Sequence, residues 1–568
     1  MYIATVPNRG SPPAILLREG YRDGGKVRTR TLANLSKLPP EAVAALRQVL
    51  KGDTLIKAGN AFEAITSQHH GHVQAVLDAM QRLSFAQLIA SRPSRQRHLV
   101  VAMVAARILE PDSKLGTTRW WNLTTLPTLL DVAEADEEEL YSAMDWLLKQ
   151  QPFIEKKLAT RHLHDNGMAL YDLSSSYFEG VTCPLAALGH NRDGKKGKLQ
   201  VNYGLLTNTR GVPVAVSVFK GNTGDPKTLL PQVDKVRKDF GIERFVLVGD
   251  RGMIAQKQVD ALRDVDGIDW IAALRPEAIR QLLEGGALQL GLFDERNLFE
   301  LTHPDFPGER LVACRNPELA KRRAYKRTSL LEATVKELET VRRMVERGRL
   351  RGQDDIGVRV GKVVNKYKVA KHFKLIIQDT RFDFAIDPDK VAAEAALDGI
   401  YVIRTSLPEE RISAEDTVRS YKRLTLVERA FRSFKTLDLE IRPIHHRLEN
   451  RVRAHIFLCM LAYYVMWHML QAWRPLLFCD EEQAAKTTRD PVAPAQRSAA
   501  ALRKVRTRRL DDGSEVHSFH TLLKLLSSIV RNVCRVPGAP PETPTFDVIT
   551  TPSAKQQRAY QLLQTIEA

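Results

Sequence analysis

The sequence predicts an α/β fold built around a mixed sheet. From Met168 onward, three β-patterned segments follow one another with turns between them, as in an antiparallel meander: MALYDLSSSYFEG, LQVNYGLLTN and GVPVAVSVFKGN. A helical pattern then leads to FVLVGD, whose continuous apolar run is typical of a central strand covered on both faces. A second helix, MIAQKQVDALRDVDG, and a further strand, DWIAALR, complete the series. This order favours a sheet in which the first and fourth strands are parallel neighbours, because a crossover helix separates them.

The region before this sheet divides into two parts. Residues 1–60 predict a small α+β module, with three strands (MYIATV, AILLREGYR and KVRTRTLANL) and a helix, PPEAVAALRQVLKG, that Pro opens and Gly closes. Residues 61–165 carry several helical patterns and predict a mainly helical region. The first part of the sheet domain then occupies residues 166–275.

The α/β rhythm stops after Arg275. Residues 276–397 predict an inserted α+β domain, with one long charged helix over 317–349 and short β-like pieces in VGKVVNKYKVAKHFKLIIQD. Residues 398–478 return to the sheet domain with the strand GIYVIRTS and the helix SAEDTVRSYKRLTLVERAFRSFKT. Residues 479–568 predict a helical and loop region suited to dimerisation, whose last thirty or so residues are expected to be frayed.

Charge indicates the class of partner. The 568 residues contain 85 Lys and Arg against 67 Asp and Glu, a net charge of +18 and a pI near 9.6. Such an excess favours a polyanion, most often nucleic acid, although a merely basic cytosolic protein has the same balance. The five cysteines are scattered and match no zinc-ligand spacing, which indicates a reduced intracellular protein. The N-terminus lacks the pattern of a signal peptide, and the apolar segment 455–473, interrupted by His, Gln and Tyr, predicts a buried core helix.

Three acidic residues are candidates for one site. Asp172 lies in the first strand and Asp250 at the exit of the central strand, so parallel pairing would place both at one edge of the sheet. Glu428 lies on a helix beside an apolar stripe, at a spacing of seven residues from both Tyr421 and Lys435. The stripe consists of Leu424, Val427, Phe431 and Phe434. Three such carboxylates have the oxygen ligands that Mg²⁺ prefers.

Each of these residues also has a purely structural explanation. An Asp in or after a strand often belongs to a turn or a cap, and Glu428 is spaced for an intrahelical ion pair with Arg432. Asp225 is expected to cap the helix that follows it. The histidines of SQHHGH and the pair His445–His446 lack partners at zinc spacing and are interpreted as surface or hinge residues. The three carboxylates in the correct order nevertheless favour catalysis.

Four motifs in that order resemble a known family. YDLSSSYF, GNTGDPKTL, DRGM and the Tyr421–Glu428–Lys435 spacing are similar to the DDE transposases of bacterial insertion sequences, which have an RNase H-like catalytic domain. The resemblance runs from about Tyr171 to Trp467. It is to the branch with an insertion before the catalytic Glu and a Y–R–E–K signature. The signature Arg is displaced here, since Leu424 stands at its position and Arg423 lies one residue earlier.

The resemblance implies the site and its cofactor. Asp172, Asp250 and Glu428 would be the catalytic residues and the ligands of two Mg²⁺ ions, for which Mn²⁺ can substitute. Contacts to DNA would come from the residues Tyr421, Arg423, Arg429, Lys435 and Arg251. Some members of the branch hold a flipped base with a Trp of the insertion. None of the six Trp lies in the insertion here, and Tyr325 or Tyr367 could stack a base instead.

The implied activity is DNA transposition. Residues 61–165 would recognise the terminal inverted repeats of an insertion sequence, the metal site would cleave the 3′ ends, and the freed hydroxyls would attack target DNA. A homodimer or larger synaptic assembly is expected, without a membrane or a small-molecule substrate, in the bacterial cytoplasm at the nucleoid. Two alternatives stay open from the sequence: a domesticated, non-catalytic DNA-binding protein, and an RNase H-like nuclease without strand transfer.

Overall fold

The computed structural model describes residues 1–53, 62–293, 297–482, 489–540 and 542–567. The expected boundary between the first two regions, at residues 60–61, lies outside the described residues. Within them, no helix has the combination of length and hydropathy needed to span a lipid bilayer.

Sixteen strands are found in the described ranges. They are β1 Tyr2–Val6, β2 Ala14–Asp23, β3 Lys26–Asn34, β4 Glu63–His69, β5 Gly167–Tyr177, β6 Gln200–Asn208, β7 Pro213–Lys220, β8 Phe245–Val248, β9 Ile268–Ala273, β10 Leu298–Leu301, β11 Arg310–Arg315, β12 Phe373–Ile377, β13 Phe382–Ile386, β14 Ile400–Thr405, β15 Val530–Arg535 and β16 Phe546–Ile549.

The α-helices of the described ranges are α1 Pro40–Leu50, α2 Gly71–Arg82, α3 Phe85–Ile89, α4 Arg95–Leu109, α5 Lys114–Trp121, α6 Leu126–Leu129, α7 Glu137–His162, α8 Leu229–Asp234, α9 Gln256–Arg263, α10 Pro276–Glu284, α11 Pro317–Glu346, α12 Gln353–Tyr367, α13 Pro388–Ala395, α14 Ala414–Lys422, α15 Leu424–Arg432, α16 Glu449–Ala472, α17 Ala499–Thr507, α18 Phe519–Ser527 and α19 Ala554–Leu563.

The chain divides into two compact units, residues 1–68 with 530–550, and residues 69–529 with 551–568. The first unit contains the antiparallel sheet β1-β2-β3, the helix α1 and a second sheet in the order β16-β15-β4. The three N-terminal strands and the helix after them lie where the sequence predicts them. Pro40 is at the first position of α1, where its missing N–H costs no helical hydrogen bond. The strands β15 and β16 were not predicted.

The second unit is organised by an eight-stranded mixed sheet in the order β10-β11-β14-β9-β8-β5-β6-β7. Strands β5, β6 and β7 form the predicted antiparallel meander. Strand β8 is parallel to β5 on one side and to β9 on the other. The predicted fold class, a mixed sheet with three antiparallel strands followed by parallel ones, is therefore confirmed.

The segment after Arg275 extends this sheet and adds a separate apolar core. Strands β10 and β11 continue the sheet beyond β14 with antiparallel pairing. The helices α11 and α12 pack with the β12–β13 hairpin around their own cluster of buried residues. The prediction of β-like pieces from residue 360 is wrong for residues 360–367, which are the end of α12. Ile356, Val360, Val363 and Val364 recur at helical spacing and are buried on one face.

Helix α16 confirms the prediction of a buried core helix. Its residues from Ala454 to Met469 are all buried, and α4, α7 and β7 pack against it. The expectation of a frayed C-terminus is wrong, because α19 packs against this core. The Trp473 Nε1 donates a hydrogen bond to the Ala559 carbonyl oxygen at 2.9 Å, and the Tyr560 hydroxyl donates to the Gly71 carbonyl oxygen at 2.8 Å. A short helix with a buried face is thus tied down by two long-range hydrogen bonds.

A buried ion cluster joins Glu309, the residue before β11, to β14, β9 and α9. The Glu309 side chain, 0% exposed, accepts hydrogen bonds at 2.6 Å from Arg404 Nε, at 2.9 Å from Arg263 Nη2 and at 3.3 Å from Trp270 Nε1. Arg404 Nη2 forms a second contact to the same carboxylate. Since the Arg404 side chain is only 4% exposed, its charge is compensated by Glu309 rather than by water.

We therefore expect Glu309→Gln to destabilise the protein. The amide leaves two guanidinium groups beside a neutral partner, and removal of one partner of a buried pair costs about 3–5 kcal/mol. The midpoint of urea unfolding should fall. Glu346→Gln is the control, because Glu346 is 63% exposed and lies 3.8 Å from Arg342, and its loss should change stability by less than about 0.5 kcal/mol. Equal midpoints for Glu309→Gln and wild type would contradict the expectation.

Candidate active site

Two carboxylates lie at the same edge of the central sheet. In the parallel pair β5–β8, Leu170 is opposite Val248. Asp172 and Asp250 each follow their member of that pair by two residues, so the register brings them to the same level of the sheet. The sequence-based expectation that parallel pairing would bring these two acids to one edge agrees with this register.

The turn after β8 orients Asp250. The backbone N–H groups of Gly252 and Met253 donate to Asp250 Oδ1 at 3.0 and 2.8 Å. Among the described residues, no hydrogen bond reaches the other carboxylate oxygen, Oδ2. One oxygen is therefore fixed by the turn and the second is available to another ligand.

The helix that carries Glu428 is interrupted, and this corrects the prediction of one continuous helix. Helix α14 ends at Lys422, and Arg423 is a turn residue whose carbonyl oxygen accepts an i→i+3 bond from Leu426 at 2.8 Å. Helix α15 then passes into a π-helical turn, Ser433–Leu437. A π turn contains more residues per turn than an α-helix. Tyr421, Glu428 and Lys435 therefore do not share one straight helical edge.

Apolar packing places α15 across the sheet. Leu424, Val427, Phe431 and Phe434 are all buried, as the sequence predicts. The Phe431 ring packs edge-on against Tyr203 of β6, with centroids 5.7 Å apart. With the stripe buried, Glu428 stays exposed beside it, and it forms no ion pair with Arg432 within 4.0 Å.

The three predicted carboxylates line one cavity of about 480 Å³. Its lining comes from β5, the loop after β5, the turn after β8, and α15 with its π turn. The lining residues are Asp172, Leu173, Ser174, Arg192, Asp193, Asp225, Asp250, Glu428, Phe431, Arg432, Lys435, Thr436 and Arg442.

Electrostatics within the cavity are unfavourable for a second negative charge. Burial, then the neighbouring Asp250 and, more weakly, Glu428 together raise the pKa of Asp172 to about 7. The Leu173 N–H, which donates to Asp172 Oδ1 at 2.7 Å, and Arg192 act in the opposite direction. Like charges and desolvation thus disfavour the ionised carboxylate unless a cation compensates it.

Comparisons with known proteins identify the family. Residues 180–465, half of the chain, match the model of the transposase DDE domain. The chain belongs to this family. Residues 3–61 match the N-terminal domain of the IS1634 family of transposases. The transposase is therefore an enzyme of an insertion sequence that cleaves and transfers DNA. Asp250 and Glu428 lie inside the first match, and Asp172 lies eight residues before it.

Two solved structures are similar to the transposase at low identity. The piggyBac transposase, in a synaptic complex with hairpin DNA, is 8% identical with a TM-score of 0.34, covering 80% of this chain and 77% of that one. The Mos1 transposase, in a paired-end complex with a left transposon end, is 9% identical with a TM-score of 0.15, covering 34% of this chain and 62% of that one. The search of curated proteins finds no match.

The residues of the cavity fit a divalent metal, which DDE transposase domains generally use. The donors are carboxylate oxygens, the ligands that hard cations prefer. A cation would also relieve the repulsion between Asp172 and Asp250. In the described part of the transposase, no three His, Cys, Asp or Glu side chains are arranged to enclose a single ion. The carboxylates face a common space without forming a closed cage, so other ligands would have to complete the coordination.

Two ion-pair groups in the cavity were missed by sequence reasoning. Arg192 donates to both oxygens of Asp225, at 2.6 and 2.7 Å. Asp225 does not cap its helix, which corrects the sequence-based expectation. Asp193, whose side chain is 2% exposed, pairs with Lys435 at 3.0 Å and with Arg442. The segment NRDGKKG resembles an ordinary Asn/Asp-Gly turn, and no local pattern distinguishes it from one.

The predicted DNA contacts occupy different positions. Lys435 lines the cavity, but its side chain is 11% exposed and is bonded to Asp193. Tyr421 lies near the acids: burial and then Asp250 raise its pKa to about 12, whereas Arg251 lowers it. Arg429 is exposed and does not line the cavity, and Arg432 lines it instead. Arg423 is at the junction between α14 and α15.

The histidine clusters differ in part from the expected surface residues. His72 is 8% exposed, and burial followed by His69 and His70 lowers its pKa to about 4. Burial and then Lys114 lower the pKa of His446 to about 3. The interpretation as a surface residue is therefore wrong for His72, whereas His446 is partly buried.

We expect the metal-free transposase to lose stability as the pH rises through the titration of Asp172. Because the pKa is about 7 in the folded protein and 3.8 ordinarily, the folded state binds this proton more tightly than the unfolded state. The stabilisation is complete below about pH 4 and is lost above pH 7. Asp172→Asn lacks this loss, so in EDTA at pH 8 its free energy of unfolding in urea should exceed that of wild type by about 4 kcal/mol.

The comparison is repeated at pH 5, where the difference between wild type and Asp172→Asn should shrink. Asp234→Asn, which changes an exposed Asp paired with Lys238, serves as the control and should show no such trend. A difference of equal size at both pH values would contradict the raised pKa.

Proposed function

We propose that Asp172, Asp250 and Glu428 are the catalytic carboxylates of the transposase and hold two Mg²⁺ ions. The observation that supports this is their common cavity: three acids distant in sequence face one space beside the edge of the sheet. Buried structural acids are normally paired with cations. Within the described residues, neither of the half-buried acids Asp172 and Asp250 forms an ion pair within 4.0 Å, whereas Asp193 and Asp225 in the same cavity do.

Each carboxylate would have a distinct part. Asp250 presents one oxygen while the turn amides hold the other, so its direction is set before substrate arrives. Asp172 would supply a charge that burial and the neighbouring Asp250 disfavour unless a cation is bound. Glu428, exposed on α15, would supply the third carboxylate from the helix rather than from the strands. Bound metal ions would activate the attacking water or 3′-hydroxyl and stabilise the leaving oxygen of the phosphodiester.

Cations around the acids would hold the DNA backbone. Arg432, which has no ion pair within 4.0 Å among the described residues, lines the cavity and is exposed. Tyr421, Arg423, Arg429 and Arg251 remain proposed contacts outside the cavity lining. Lys435 would act mainly by fixing Asp193 and the loop before β6.

Transposition would proceed by hydrolysis at the 3′ ends of the element, followed by attack of the freed hydroxyls on target DNA. The helical region 61–165 would recognise the terminal inverted repeats. Since two ends must be cut and joined together, we propose a homodimer or larger synaptic assembly. Mn²⁺, which has similar ligand preferences, would replace Mg²⁺.

We expect Asp172→Asn, Asp250→Asn and Glu428→Gln each to reduce cleavage of end-containing DNA by at least about 10³-fold. Each change removes a charged ligand and keeps the side-chain shape. The substrate is a duplex with the ends of the element, incubated with Mg²⁺ and followed on a denaturing gel. DNA binding in EDTA should be retained. Asp234→Asn is the matched control and should cleave as wild type does.

The outcomes separate the alternatives. Cleavage that survives Glu428→Gln removes Glu428 from the site. Binding by wild type without any cleavage favours a domesticated DNA-binding protein. Cleavage without joining of the freed 3′ ends to a target plasmid favours a nuclease.

Metal binding is testable apart from activity. We expect millimolar Mg²⁺ to raise the melting temperature of wild type, because the ion binds only the folded state. Asp250→Asn should lose most of this increase, and Asp234→Asn should keep it. An equal increase in all three proteins would indicate that the ion binds elsewhere.

A further inference from the structure

A second cavity, of about 570 Å³, lies between α4, α5, α7 and the segment that connects the π turn to α16. We call it the basic cavity. It is lined by Arg107, Pro111, Asp112, Ser113, Lys114, Tyr141, Glu440, Arg442, Pro443, His445, His446, Arg447, Leu448, Arg451 and His455. Five Lys and Arg face two carboxylates, with three histidines in addition, so the lining carries an excess of positive charge.

Most of this charge has no anionic partner. Lys114 is 3% exposed and, like Arg447, forms no ion pair within 4.0 Å among the described residues. Arg107, 6% exposed, donates to the neutral carbonyl oxygen of Asp112 at 2.8 Å. Burying a cation such as Lys114 without a counter-ion is unfavourable. Burial and then Arg107 accordingly lower the pKa of Lys114 to about 7.

A buried donor in the lining also lacks an acceptor. Arg451 Nε has no hydrogen-bond partner, and the nearest carboxylate oxygen, Asp145 Oδ2, is 3.9 Å away. The Arg451 guanidinium lies over the Tyr141 ring at 4.3 Å, which fixes its plane. A guanidinium held in this way offers the donor geometry that phosphate oxygens fit.

We call the cavity lined by Asp172, Asp250 and Glu428 the catalytic cavity, in keeping with its proposed function. The basic cavity is next to it, because Arg442 lines both. The connecting segment is also tied to β5: the Ile444 N–H donates to the Tyr177 carbonyl oxygen at 3.2 Å, and the Glu179 N–H donates to the Ile444 carbonyl oxygen at 2.9 Å. Strand β5 carries Asp172. A polyanion that passed through the catalytic cavity and beyond Arg442 would therefore meet Lys114 and Arg447, which have no ion pair among the described residues.

We propose that the basic cavity holds a backbone phosphate of the DNA strand whose neighbouring phosphodiester occupies the catalytic cavity. This rests on the proposed function, in which DNA is the substrate there. Lys114, Arg447 and Arg451 supply the charge and the donors. The contact is to the phosphate, so it positions the strand without reading its sequence.

The test measures binding of a 5′-fluorescein-labelled 20-nucleotide dT strand to the full chain by fluorescence anisotropy in EDTA, at several salt concentrations. We expect Arg447→Ala to weaken binding about fivefold at 0.1 M salt and to reduce the slope of log affinity against log salt by about 0.7, the value for one lost contact to a single strand. Lys114→Met should act in the same direction. Arg244→Ala is the control, because it removes an exposed charge beside the start of β8, at the opposite edge of the sheet.

Arg447 is exposed, so its variant tests the proposal even where Lys114→Met fails to fold. Unchanged affinity and salt slope for Arg447→Ala, or an equal loss for Arg244→Ala, would overturn it. A titration with sodium pyrophosphate distinguishes a site for a free phosphate anion from a site for the DNA backbone. Pyrophosphate binding that depends on Arg447, with dT binding unaffected, would also overturn it. The binding assay is carried out in EDTA and so does not depend on a bound metal. If the catalytic proposal is wrong, the cleavage assay shows it, and the binding result for Arg447→Ala is unaffected.

Discussion

The parallel pairing of β5 with β8 is the constraint on which the site depends. It puts Asp172 and Asp250 at the same level of the sheet edge. There, burial and the charge of Asp250 oppose ionisation of Asp172. A slip of β5 by one residue would turn Asp172 to the other face of the sheet. The parallel pairing with the buried strand β8 opposes such a slip. The core thus stabilises an arrangement of charges that is unfavourable by itself, as is common at functional sites.

The third acid depends on a different kind of packing. Glu428 is carried by a helix whose Phe431 packs against β6, and Phe434 of the following π turn packs against α16, so its position needs no polar contact. The interruption at Arg423 and the π turn after Arg432 let the chain change direction on either side of this short helix. The same π turn directs Lys435 toward Asp193, so a residue with the spacing of a DNA contact becomes part of the internal support of the cavity.

The fold could be predicted largely from local patterns, and the errors have physical causes. The meander, the crossover helices and the buried α16 follow from hydrophobic periodicity, which burial enforces. Residues 360–367 were misassigned because Val-rich segments suit both strands and helices, and only the position of Ile356 four residues before Val360 decides between them. The proximity of Asp172 and Asp250 could be predicted because it follows from strand order, and that of Glu428 because the apolar stripe of its helix must be buried. Asp193 and Arg192 could not, since their partners lie 242 and 33 residues away and no local pattern records such contacts.

The cations that line the two cavities are of two kinds: some have a carboxylate partner and others, within the described residues, have none. In the catalytic cavity, Arg192 and Lys435 are neutralised by Asp225 and Asp193, so they shape the walls and contribute little net field. In the basic cavity, Lys114 and Arg447 have no such partner within the described residues, and their field is not cancelled locally. Arg442 stands between the two sets. In the proposed function, a DNA strand would therefore meet unpaired cations at Arg432 and in the basic cavity, and the position between Asp172 and Asp250 would be left for metal ions.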